Sequence, residues 1–125
     1  MKNTLLKDLG LAFFRIAVSV MMVTHGLPKF QQLISGNFQF ADPFGMGEAP
    51  SLFLAVIGEF ICPILIIIGF KSRLAAIPTA ITMAVAAFVI HGADDFNTKE
   101  KALFYLVAFI TISLLGPGKF GIDKK

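Results

Sequence analysis

The stretch SLFLAVIGEFICPILIIIGF, Ser51–Phe70, carries one charged residue, Glu59, in an otherwise apolar run. A helix needs about 20 mostly apolar residues to cross the hydrocarbon core of a bilayer, so this stretch reads as a membrane span. Three more segments of the same kind flank it. One runs from about Leu9 to Leu27, broken only by Arg15 and a few small polar residues. Another, Leu74 to Ile90, has no charge. The last, Ala102 to Leu115, is short, but Asn97-Thr98-Lys99-Glu100 has a capping-box pattern that extends it backwards, with Asn97 as cap and Glu100 at the third position. The sequence thus predicts an all-α bundle of four transmembrane helices in a single membrane domain, 1–125. The approximate spans are 9–27, 51–70, 74–90 and 98–115.

Composition agrees. The chain is 56% hydrophobic and 15% charged, where a soluble domain has about 45–50% apolar and about 25% charged residues. Its mean hydropathy is +0.79. The net charge of +3 suggests no nucleic-acid partner, because the lysines sit at the chain ends and in turns rather than on one basic face. Cys62 is the single cysteine and lies inside an apolar run, so there is no disulfide framework, Cys-x-x-Cys or zinc pattern. The first span is expected to stay in the mature protein, since Arg15 interrupts it and no small-x-small cleavage pattern follows.

Lys and Arg placement sets the direction of the spans. An even number of spans puts both ends on one side, with Lys2, Lys7, Lys71, Arg73, Lys119, Lys124 and Lys125. The other side has Lys29, Lys99 and Lys101 against Asp42, Glu48, Asp94, Asp95 and Glu100. Both termini are therefore expected in the cytoplasm. The outer loop from roughly Pro28 to Pro50 holds Phe30, Phe38, Phe40 and Phe44; it reads either as a plain interfacial loop or as a lid resting on the outer surface.

Charges within spans are costly and mark functional candidates. Arg15 lies about 9 Å from the cytoplasmic start of the first span and Glu59 about 12 Å below the outer end of the second, at 1.5 Å per residue. The Arg15 side chain is long enough to snorkel to the inner headgroups; Glu59 must be protonated, paired or turned to a polar cavity. Pro63, four residues after Glu59, has no N–H and leaves the Glu59 carbonyl without its helical donor. His25 and His91 fall at the outer ends of spans one and three, Lys29 follows His25 by one turn, and Glu100 opens span four on the same side. In depth these residues converge with Glu59 on the outer half, as groups for ligand binding or proton relay. Nothing points to a metal, because no segment has a ligand spacing. His25-Gly26 and His91-Gly92 hint at two related hairpins.

These residues resemble the DoxX family of small bacterial membrane proteins. The resemblance runs from about Leu11 to Asp123. It rests on Arg15, His25-Gly26-x-x-Lys29, Gly58-Glu59, Gly69-Phe70-Lys71-Ser72-Arg73, Glu100, and Gly116-Pro117-Gly118 followed by Asp123. It implies a four-helix bundle in the bacterial cytoplasmic (inner) membrane. The family takes its name from subunits of a quinone-linked thiosulfate oxidoreductase, and some members look like membrane parts of redox complexes that handle thiols and oxidative stress. Arg15, His25, Lys29, Glu59 and Glu100 match the family pattern, whereas His91 rests on position alone. With no pair of cysteines, a redox role here needs a partner protein or a bound quinone.

Three functions follow as expectations. The first is a membrane subunit of a quinone-linked redox or oxidative-stress complex. The second is a proton-coupled small-molecule carrier with Glu59 as the titrating group, working as a homo-oligomer. The third is a non-catalytic scaffold for partner proteins, whose small residues in span three allow close helix contact. No nucleophile–base pair, phosphate loop or metal motif suggests an enzyme in the isolated chain.

Overall fold

Four helices follow one another in a computed structural model that describes residues 2–122: α1 (Lys2–Ile34), α2 (Glu48–Ile68), α3 (Ser72–Ile90) and α4 (Phe96–Leu115). Asp123, Lys124, Lys125 and the side chain of Lys2, which entered the reading of family and orientation, lie outside the described residues. Among the described residues there is no strand. By length and composition α2 and α3 are each fit to cross a membrane.

Each helix buries one stripe. On α1 it is Arg15, Ser19, Met22 and Gly26, spaced by three to four residues as a 3.6-residue turn requires. On α3 it is Ser72, Ala75, Ala76, Thr79, Met83 and Ala87. The core joins Met22 of α1, Cys62 and Ile66 of α2, Ala75, Ala76 and Met83 of α3, and Phe109 and Ile112 of α4. The opposite faces show bare apolar side chains to the surroundings. Phe13 is 75% exposed and Phe104 73%, as suits side chains that meet lipid. Packing runs α1 on α2, α2 on α3 and α3 on α4, while α1 and α4 meet only sparsely. Gly26 lies against Glu59 while Arg15 reaches Ile67, so α1 and α2 are antiparallel.

Two boundaries differ from those expected. The helix does not stop before Pro28; α1 continues through it to Ile34, and the first outer connection shrinks to residues 35–47. A proline costs one hydrogen bond, but contacts to α2 hold the extra turns. Phe30 stacks on Phe60 with ring centroids 4.5 Å apart, and Lys29 bonds Glu59. The cap of α4 is Asp95, two residues ahead of Asn97. Its extended backbone turns the carboxylate onto the N–H and hydroxyl of Thr98, at 3.1 and 2.8 Å. Asp and Asn cap about equally well, and the Thr98 hydroxyl adds a second donor at this register.

The turn between α2 and α3 has Gly69 in the left-handed region (φ 76°). Phe70 N–H donates to the Leu65 carbonyl and Gly69 N–H to that of Ile66, the two bonds of a Schellman ending. The segment after α4 folds back beneath this turn. A Cβ on Gly121 would lie 2.9 Å from Gly69 Cα, so the two glycines let the chains cross backbone to backbone.

Candidate functional site

The site begins with an irregularity in α2. Between Ile57 and Ile61 the helix widens into a π-turn, in which Cys62 N–H bonds the Ile57 carbonyl five residues back rather than four. The Gly58 carbonyl thereby loses its ordinary donor, Cys62. In the widened register its donor is residue 63, a proline with no N–H. The sequence predicted that Pro63 strips the Glu59 carbonyl; the one-residue shift leaves the Gly58 carbonyl without a helical donor as well. A buried orphan carbonyl costs about 1–3 kcal/mol. Thr79 of α3, itself fully buried, removes the deficit by donating its hydroxyl to the Gly58 carbonyl at 2.5 Å. π-turns are rare and occur often at functional sites.

Two glycines hold the neighbouring helices close to this turn. A Cβ on Gly26 would lie 2.5 Å from the Glu59 carbonyl carbon. On the other side, a Cβ on Gly58 would lie 3.0 Å from Thr82 Cβ. Helix α2 is thus gripped between α1 and α3 at Gly58-Glu59.

The Glu59 side chain, 3% exposed, turns towards α1. Lys29 Nζ donates to its Oε1 at 2.5 Å, and His25 Nε2 stands 3.4 Å from the same oxygen. His25 and Lys29 are one turn apart on α1, so both reach one carboxylate. An ion pair away from water is held by mutual compensation, and removing one partner leaves an uncompensated charge.

This group opens into a cavity of about 420 Å³ at the end of the bundle where α1 and α2 are joined. Most of its walls are apolar, from Leu54, Ala55, Ile81, Met83 and Ala86. Its titratable groups are Glu59, Lys29, His25, His91, Lys101 and Tyr105. The connection between α1 and α2 covers it with Phe40, Pro43, Phe44 and Met46. Asp42 ties this connection into a compact turn by accepting from Met46 N–H, Gly47 N–H and the Ser51 hydroxyl at 3.0, 2.9 and 3.1 Å. Lys29 also sits 5.6 Å from the centre of the Phe40 ring, so one ammonium touches both the acid and its cover.

Of the residues singled out from sequence, His25, Lys29, Glu59 and His91 line this one cavity. His91 Nδ1 also pairs with Asp94 at 2.8 Å. Glu100 faces elsewhere, into a groove between α1 and α4 lined by Phe14, Val18 and Phe104. Arg15 lies far from the cavity. It does not snorkel outward; it is 2% exposed and donates to the carbonyls of Pro117, Ile67 and Phe120 at 2.5, 3.2 and 3.4 Å. Sequence reasoning missed Lys101, Tyr105 and Thr79. The α4 pair stands one and five positions past Glu100, and helical rotation decides which of them faces inward. Nothing in the composition of span three separates Thr79 from any other helical threonine.

An all-helical chain with two helices fit to cross a bilayer and apolar side chains bared around its sides is a membrane protein in form. The model of the DoxX family matches residues 10–92, and the chain belongs to that family. It is 32% identical over 126 residues to a Haemophilus influenzae protein called "Uncharacterized protein", covering 92% of this chain and 89% of the relative. It is 28% identical over 123 residues to the Escherichia coli (strain K12) "Inner membrane protein YqjF", covering 95% and 93%. No solved structure matches it. The family match takes in Arg15, His25, Lys29, Glu59, Thr79 and His91, whereas Glu100, Lys101 and Tyr105 lie beyond it.

Proposed function

We propose that this chain is a four-span protein of the bacterial inner membrane that binds a quinone by its polar head in the outer cavity, as the membrane subunit of a redox complex. The carrying observation is the buried Glu59–Lys29–His25 group opening into an apolar-walled cavity of about 420 Å³. Small-molecule sites are commonly about 300–1,000 Å³, apolar, with a few placed polar groups. The residues suit the ligand. Quinone carbonyls accept hydrogen bonds; Lys29, His25 and Tyr105 carry donors, and the apolar wall suits the ring. A bound quinone supplies two-electron chemistry. Glu59 and His25 hold or pass the proton, Lys29 neutralises the carboxylate, and the aromatic cover keeps water out. With one cysteine the chain has no thiol pair of its own, so electrons come through a partner protein. Both ends lie in the cytoplasm in this reading, supported by seven Lys and Arg on that side against three outside.

Decylubiquinone titrated into the protein in nanodiscs should bind saturably, one per chain, and Glu59→Gln should weaken it about tenfold. Absence of saturable binding, or equal affinity for Glu59→Gln, defeats the reading. In a Cys62→Ala background, Ala41→Cys should react with an impermeant maleimide added from the periplasmic side only.

A further inference from the structure

The geometry points to Thr79 as the positioning residue of the site: its hydroxyl, fixed to the Gly58 carbonyl, holds open the π-turn that aims Glu59 at Lys29 and His25. This rests on the reading of Glu59 as the acid of the site. A π-turn inserts one residue into the helical register, and each residue of an α-helix advances the helix by about 100°. If α2 closed to ordinary α-geometry, its outer part would rotate by that amount relative to the part below. Glu59 would swing off the α1 face, while Gly26 and Gly58 would lose the close contacts that only their own register permits. The wide turn is favoured because the Gly58 carbonyl, left without a donor in its own helix, has one from another helix. Pro63 cannot serve it, and Cys62 is engaged with Ile57.

The arrangement is built for that bond. Thr79 is 0% exposed, Gly58 is buried, and the donor–acceptor distance is 2.5 Å. Thr82, one turn further along α3, bonds instead to the Pro78 carbonyl of its own helix at 2.8 Å, which is the usual habit of a helical threonine. Thr79 alone of the two reaches across. It touches neither the cavity nor the carboxylate, so its effect passes through the backbone of α2. The titratable and charged groups around Glu59 are His25 and Lys29 of α1, His91 at the end of α3, and Lys101 and Tyr105 of α4. None of them is altered by changing Thr79.

The test is an infrared titration of the Glu59 carboxyl band in the full-length protein in nanodiscs, with Glu59→Gln to identify the band. This readout needs no ligand, so it stands even if decylubiquinone does not bind. Thr79→Val keeps the shape and removes the donor, and it should move the midpoint by about one unit, a tenfold change in proton affinity. Thr79→Ser restores the donor and should return the midpoint to that of the parent. A Thr79→Val protein that titrates like the parent overturns the proposal, as does a Thr79→Ser protein displaced as far as Thr79→Val. If Thr79→Val does not fold, Thr79→Ala is compared with Thr79→Ser, and equal midpoints for the two overturn it.

Discussion

Replacing Gly26 by alanine adds one methyl group where α1 meets α2 most closely. The new Cβ would lie 2.5 Å from the Glu59 carbonyl carbon, against the 3.4 Å at which ordinary contact begins. The obstacle is backbone, so no side chain can turn aside; the helices must part locally by about 0.9 Å. Overpacking of this kind costs about 1–3 kcal/mol. The same displacement takes His25 Nε2, now 3.4 Å from Glu59 Oε1, beyond direct contact. Gly10 is the internal control. It lies in the same helix with nothing within 4 Å of its would-be Cβ, so Gly10→Ala should stabilise by about 0.5–1 kcal/mol through helix propensity alone. Reversible unfolding in mixed micelles, followed by far-UV circular dichroism, should therefore move the two variants in opposite directions. Equal stability of Gly26→Ala and the parent would refute the close-contact account of the site.

Three further outcomes are expected. Lys29→Met should destabilise by about 3–5 kcal/mol, because it strands a buried carboxylate, and adding Glu59→Gln should recover much of that loss; the same micelle unfolding, run as a double-mutant cycle, checks it. Arg15→Met should cost at least about 2 kcal/mol, since three carbonyls lose their donor at about 1–3 kcal/mol for each one left buried. Limited proteolysis should then cut near residues 116–122. The Thr98 bonds hold the Asp95 carboxyl below its ordinary value of 3.8, so its capping contribution is complete above that value and fades as pH falls through the lowered one. Hydrogen exchange at the first turn of α4 should rise in acid below about pH 4, and Asp95→Ala should abolish that pH dependence.

The helices were legible because long apolar runs with few charges announce themselves by composition. The 20 residues of Ser51–Phe70 admit only one charge, and buried backbone in lipid has few shapes open to it. Height along the helices was legible too: counting residues set His25, Lys29, Glu59 and His91 at one end of the helices, and they line one cavity. Rotation was not. Lys101 rather than Glu100 faces the cavity, a difference of one position that hydropathy cannot resolve. The continuation of α1 past Pro28 was hidden because the proline signal is local, whereas the contacts that override it, Phe30 on Phe60 and Lys29 on Glu59, join residues 30 positions apart. The π-turn was half visible. Pro63 showed that α2 lacks a donor, but which carbonyl goes without depends on a register shift that only three dimensions display.

Arg15 gives the molecule an order of assembly. Its shortest bond is to a carbonyl 102 residues downstream, so a growing chain holds the guanidinium long before its partner has been synthesised. The first helix carries this charge without its main acceptor until Pro117 has been made. Only then does the returning strand slide under the glycine crossing and latch the earliest helix to the latest segment.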